Sequence, residues 1–184
     1  MTKPTIISIS GSLSNPSRTR ALLDRVVAEI QGLTPAEHLS IDVSALASDL
    51  SGLTDYKAIP PRISDVLSSI QKADLLVVGS PVYKGSYTGL FKHLIDFVDP
   101  GALIGVPVLL TATGGTDRHA LVIEHQLRPL FSFFQALTVP TGVFARDIDF
   151  ENYRLIRPDV EDRLRRAAGE AVTLLSLGRL QPAG

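Results

Sequence analysis

The chain reads as a doubly wound α/β protein, a three-layer sandwich with five strands in one parallel sheet and helices on both faces. Two observations predict this. Short apolar runs rich in β-branched residues, such as Thr5–Ser10 (TIISIS) and Leu75–Gly79 (LLVVG), alternate with segments whose apolar residues recur at helical spacing. Three of the runs lead directly into loops of Ser, Thr, Gly and Pro, namely Ser10–Thr19, Ser80–Gly85 and Thr113–Thr116. In an open parallel sheet, the loops at the carboxyl ends of the strands line the ligand crevice where the strand order reverses.

Each element follows from its own pattern. Thr5–Ser10 has the near-continuous apolar character of a strand buried on both faces. From Arg18 to about Ile30, the positions Leu22, Leu23, Val26, Val27 and Ile30 form one helical stripe, with Gly32 as the expected stop. His38–Val43 alternates weakly, as an edge strand does. Residues 44–61 mix Ser, Asp, Gly and a Pro-Pro pair, which predicts a long loop of the kind that binds or covers. Arg62–Lys72 is a helix with Ile63, Val66, Leu67 and Ile70 on one face, and Leu75–Gly79 is the clearest buried strand. A helix over Tyr87–Val98, a strand over Val106–Thr113, a long helix over Arg118–Leu137, a strand over Thr138–Phe144 and an amphipathic helix over Asp159–Leu177 complete the pattern. Right-handed crossovers leave few topologies, and the order 2-1-3-4-5 puts the first and third strands at the switch point. A chain of 184 residues fills one such domain, taken as residues 1–184.

The long helix carries one irregularity. Pro129 has no N–H for the carbonyl of His125, and its ring crowds that carbonyl, so a kink or a π-bulge near His125 is expected. Leu121, Val122, Ile123, Leu127, Leu130, Phe131, Phe133 and Phe134 spread over more than one face, whereas a surface helix needs one apolar stripe. Either a subunit interface or deeper burial accounts for the excess.

Composition narrows the function. The net charge of −1 gives no basic footprint for nucleic acid and no polybasic membrane patch. With no cysteine, disulfides, thiolate metal sites, thiol nucleophiles and cysteine-held iron–sulfur clusters are excluded. No charged-then-apolar leader precedes the first strand and no apolar stretch is long enough to span a bilayer, so a cytoplasmic protein is expected. His119 and His125 lack the i, i+4 spacing of a zinc pair, and the serine of Gly85–Gly89 lies one place early for G-x-S-x-G.

The three loops carry the chemistry. The first has neither G-x-G-x-x-G nor a Walker lysine. It places Ser10, Ser12, Ser17 and Thr19, with Arg18, at the head of a helix, where free N–H groups and hydroxyls suit a phosphate. The same residues also make an ordinary capping turn. In the second loop Pro81 stiffens the exit from the strand, letting the N–H groups of Val82 and later residues face a ligand edge. Tyr83 can lie along a ring face. Lys84 is either a solvated charge or a contact to flavin or nicotinamide phosphates. In the third loop Thr113, Gly114 and Gly115 permit close backbone approach, or make a simple tight turn. A phosphate together with a planar ring is a mononucleotide, with FMN first among candidates.

Taken together, these segments resemble the NAD(P)H-dependent FMN reductase family of flavodoxin-like fold. The specific part is Pro81–Val98 (PVYKGSYTGLFKHLIDFV), a Pro-x-Tyr turn before a helix with Gly89, Phe91-Lys92 and Asp96. Lys84 and Thr88 replace the Asn and Pro of many members. With Thr113–Thr116, His119 and Arg128-Pro129, these departures look like the sulfonate-utilisation branch. The resemblance implies that FMN binds as an exchangeable substrate and NADH, ahead of NADPH, as reductant, with no catalytic acid or base. It also implies a sulfonate monooxygenase partner, and a homo-oligomer, dimer or tetramer, whose interface includes the π-helical segment around His125 and Pro129. His125 stands where the alkanesulfonate reductase has a tyrosine, which points to the methanesulfonate type. The alternatives are a quinone or azo reductase that retains FMN, and a flavodoxin-like electron carrier; the near-neutral charge disfavours the carrier.

Overall fold

The computed structural model describes residues 3–179. Its elements in chain order are β1 (Thr5–Ser10), α1 (Arg18–Leu33), β2 (Glu37–Asp42), α2 (Ala47–Leu50), α3 (Pro61–Gln71), β3 (Leu75–Pro81), α4 (Gly89–Asp96), β4 (Pro107–Gly114), α5 (Arg128–Phe133), β5 (Leu137–Thr138), β6 (Val143–Arg146), β7 (Phe150–Glu151), β8 (Arg154–Leu155) and α6 (Pro158–Ser176). The main sheet is parallel and ordered β2-β1-β3-β4-β5, with β6 also paired to β4. The expected order 2-1-3-4-5 therefore holds, with its last position shared by two short strands.

Period-two alternation along the buried strands feeds two cores. Ile7, Ile9, Leu76, Val78, Val108 and Leu110 face α3, α4 and α5. Ile6, Leu75, Val77 and Leu109 face α1 and α6. On α1 the stripe Leu22, Leu23, Val26, Val27 and Ile30 is buried, each side chain contributing about 1.5–3 kcal/mol. Because helices cover both faces, the central strands are buried almost throughout and largely apolar.

The departures from expectation have physical causes. Helix α1 runs through Gly32 to Leu33; the stop is Thr34, held extended before Pro35 with its N–H on the Ile30 carbonyl. The stretch expected to be a plain loop contains a 3₁₀ turn over Val43–Leu46 and then α2, because Val43, Leu46 and Leu50 are drawn into the core. The helix expected from Tyr87 starts at Gly89, where Thr88 caps it. The long helix is broken into a 3₁₀ turn at Asp117–His119, a π-helical turn at Ile123–Leu127 and α5. In the π-turn the N–H of Arg128 reaches back to the Ile123 carbonyl, one residue beyond the α-helical partner.

The expected strand at Thr138–Phe144 is interrupted over residues 139–142. There Arg128 donates to the carbonyls of Val139 (3.0 Å) and Pro140 (3.2 Å), and Arg163 donates to that of Gly142 (2.6 Å). Glu170 accepts from both the N–H and the hydroxyl of Thr141, each at 2.8 Å. Charged side chains thus take over where Pro140 cannot give a ladder bond. The β7–β8 hairpin, which turns at Asn152 and Tyr153 with positive φ, had no clear signal in the sequence.

Candidate functional site

Adjacent strands bring the three loops together. Ser10 is in register with Gly79 across β1 and β3, and Pro81 with Thr113 across β3 and β4. The loops leaving these strands therefore begin about 4.8 Å apart along one edge of the sandwich.

In the first loop the helix head is only partly satisfied. Ser17 is the N-cap, its Oγ accepting the N–H of Arg20 at 3.0 Å, and its carbonyl takes the N–H of Ala21. The N–H groups of Arg18 and Thr19 have no partner among the described residues. Two free amides at the positive end of a helix form the core of an anion site. Ser12 and Ser14 bond each other at the loop's tip, and Ser10 accepts the N–H of Ser12 at 3.4 Å from a buried position. Two of the expected contacts also bond within the protein. Thr19 Oγ1 lies 2.7 Å from Thr113 Oγ1, so one of these buried hydroxyls donates to the other and ties the first loop to the third. Arg18 points at Asp147, 3.5 Å away, with both side chains about half exposed.

The second loop differs from expectation in which amides it offers. The N–H of Val82 is committed to the Thr113 carbonyl (2.8 Å) and that of Tyr83 to the Ser86 carbonyl (2.8 Å). The unpartnered amides, among the described residues, belong to Lys84 and Gly85, the turn's two central residues, at φ 53° and 84°. Tyr83 is 48% exposed, free to cover a ring, and Lys84 is exposed without an ion pair among the described residues. In the third loop Gly114 answers to packing: a Cβ there would lie 3.2 Å from the Phe144 ring. Only Gly115 leaves its Cβ direction open, with nothing nearer than Asp147 at 4.0 Å.

Behind the loops stands a bracing layer that the sequence patterns did not reveal. Thr88 Oγ1 donates to the Gly11 carbonyl at 2.7 Å and accepts the N–H of Phe91, while the Thr88 N–H bonds Ser80 Oγ at 3.1 Å. Thr88 thus joins the first loop, the second loop and α4 in one buried node. A threonine just ahead of an apolar helical run is an N-cap signal. Ser86 donates to Gln126 Oε1 at 3.0 Å, linking the second loop to the π-turn. Arg146, at the end of β6, grips Asp149 and also reaches Asp117 at 3.0 Å, just beyond the third loop. Burial pushes the Asp149 carboxyl up, but bonds from the Arg146 guanidinium and N–H outweigh it and hold the acid below its usual range.

A separate groove of about 810 Å³ lies on the α3–α4–α5 face, among Tyr56, Phe97, Leu130, Phe133 and Phe134. None of the three loops lines it, and its one lysine, Lys92, is paired with Asp96. Among the described residues no group of His, Asp or Glu is placed to hold a metal ion, and no helix is long and apolar enough to cross a membrane. The amide pair at the head of α1, the open turn amides and exposed Tyr83 fit a phosphate joined to a planar ring.

A 2-1-3-4-5 sheet whose switch-point loops leave backbone amides open defines a flavodoxin-like protein. The family model described as NADPH-dependent FMN reductase matches residues 4–151, and the chain belongs to that family. It is 48% identical over 175 residues to an FMN reductase (NADPH) of Pseudomonas aeruginosa, covering 95% of this chain and 94% of that protein. It is 47% identical over 169 residues to the NADH-dependent FMN reductase SfnF of Pseudomonas fluorescens, covering 92% and 90%. Among solved structures, the apo form of an NADH:FMN oxidoreductase (EMOB) superposes with a TM-score of 0.85 at 28% identity, covering 98% of this chain and 92% of that one. The activity is NAD(P)H-dependent reduction of FMN.

Proposed function

We propose that the protein, acting as one domain over residues 1–184, treats FMN as a substrate that enters, is reduced and leaves. Reduced FMN then supplies an FMN-dependent sulfonate monooxygenase in the cytoplasm. When both are bound, the nicotinamide supplies a hydride to the flavin, and that chemistry is the cofactors' own. The chain's part is to bind and orient. The amides of Arg18 and Thr19, with Ser12 and Ser17, take the phosphate. Ser10, Thr19 and Thr113 hold that loop from behind. Pro81 and Val82 fix the root of the second turn, Tyr83 covers the ring, Lys84 offers charge at its rim, and Gly114 and Gly115 bring backbone to its polar edge.

The observation that carries the reading is the pairing of an unsatisfied helix head with an unsatisfied, exposed turn on adjacent strands. Both are open, which suits a flavin that exchanges. FMN titrations by fluorescence quenching test it: Ser12→Ala or Ser17→Ala with full FMN affinity removes the phosphate-loop assignment.

NADH is the reductant we place first. Arg18 and Arg146, beside the loops, are both held by carboxylates, which leaves less of their charge for a 2′-phosphate. Lys84 and Arg118, both exposed and without an ion pair among the described residues, are the exceptions, and comparison of NADH with NADPH in kcat/KM decides. We also assign a homo-oligomer, dimer or tetramer, whose interface includes the segment around His125 and Pro129. Leu121 (61%) and Phe133 (68%) stand exposed on either side of that segment, and Phe133 lines the aromatic groove. Light scattering on the wild type and on Phe133→Glu reads the mass directly.

A further inference from the structure

We infer that Gln126 is a positioning residue for flavin, acting through Ser86, and that the π-turn is what aims it. This rests on the reading of the Tyr83–Ser86 turn as a flavin contact. Tyr83 and Ser86 form an isolated antiparallel bridge, the Ser86 carbonyl accepting from Tyr83 N–H at 2.8 Å and the Tyr83 carbonyl from Ser86 N–H at 3.2 Å. Between them Lys84 and Gly85 sit in the left-handed region, exposed. Such a turn is held at its root by the bond from Val82 N–H to Thr113. Beyond that root, the sole side-chain hydrogen bond reaching residues 82–86 from another element, among the described residues, is that between Ser86 and Gln126.

The helix geometry explains why residue 126 is available. Ile123 and Leu127 are buried and anchor the segment to the core. Glu124 is spent on Arg128, donor and acceptor meeting at 2.6 Å and 3.0 Å, and His125 is exposed. Gln126, half-buried, turns instead toward the strand ends. The wider π-turn admits this extra residue without pulling Leu127 from the core. Pro129 favours the arrangement, because it could not complete an α-helical bond to His125. A sequence feature of α5 is thereby coupled to a loop on β3, and Gln126 itself touches no flavin.

The test uses the full chain and FMN as probe. In Gln126→Ala the dissociation constant for FMN rises about three- to tenfold, the range of one part-buried neutral hydrogen bond. Ser86→Ala gives a similar rise, and the double variant is no weaker than the worse single one, because both remove the same bond. Gln126→Glu, which keeps an acceptor for the Ser86 hydroxyl, restores affinity to within about twofold. A purely structural role would show instead as a fall in melting temperature with FMN affinity unchanged. The inference is overturned if Gln126→Ala binds FMN like the wild type while Tyr83→Ala does not, or if the two single effects multiply in the double variant. If Tyr83→Ala also binds FMN normally, the flavin role of the whole turn fails first, and this inference with it.

Discussion

Replacing Thr88 by valine removes one hydroxyl and keeps the shape of the side chain. That hydroxyl is 2.7 Å from the Gly11 carbonyl and 3.4 Å from the Phe91 N–H, at a residue 1% exposed. Leaving the buried Gly11 carbonyl without a donor costs about 1–3 kcal/mol. Losing the cap of α4 adds about 0.5–2 kcal/mol. Because one hydroxyl serves both groups, the two penalties overlap, and about 2–3 kcal/mol is the expected total. For a domain of this size, 1 kcal/mol moves the melting temperature by about 2–4 °C, so Thr88→Val melts roughly 4–12 °C below the wild type. The same substitution frees the backbone of the first loop at Gly11, so KM for FMN rises while KM for the nicotinamide changes less. Thermal unfolding by circular dichroism and steady-state kinetics on one preparation read both. A variant that melts within 1 °C of the wild type, within the roughly ±0.5 kcal/mol scatter of neutral surface changes, refutes the node.

Neighbouring groups give further outcomes. Tyr83→Ala weakens FMN binding with little change in melting temperature, since the side chain is exposed; calorimetric titration of FMN checks it. Ser17→Ala lowers stability by about 0.5–2 kcal/mol through loss of the α1 cap and also weakens FMN, and denaturant melts separate the two effects. Burial, and then the charge of Arg20, hold the His38 imidazole below its usual range, with Asp24 opposing. The unfolded chain therefore takes that proton first, and stability falls as pH drops below about 6.5. His38→Gln flattens that part of a pH–stability profile. Asp149 runs on the carboxylate scale: its stabilisation is present above the usual carboxylate range and is lost as pH falls through its lowered value. Asp149→Asn is accordingly destabilised at pH 7 and approaches the wild type in acid, as urea melts at the two pH values will show.

The strands and the loops were legible in the sequence because their causes are local. Thr5–Ser10 and Leu75–Gly79 announce themselves by composition, and the crevice loops by the Ser, Thr, Gly and Pro that come directly after such a run. The split of the last strand was not legible, because its backbone groups are satisfied by Arg128, Arg163 and Glu170, side chains on two other helices. Partners within the site were hidden for the same reason. That Thr19 and Thr113 bond each other, 2.7 Å apart across 94 residues of chain, is set by the fold. Val82 looked like an amide donor until β4 claimed its N–H. Pro129 was the exception: a residue that cannot complete a helical bond marks its own irregularity, and the π-turn is found at Ile123–Leu127.

The most direct test of the account is NADH oxidation by extensively dialysed protein as a function of added free FMN. Saturable turnover that vanishes without added FMN is the predicted result, and it establishes a reductase that releases its flavin. Protein that keeps FMN through dialysis, and turns over only with a quinone or an azo dye, contradicts it.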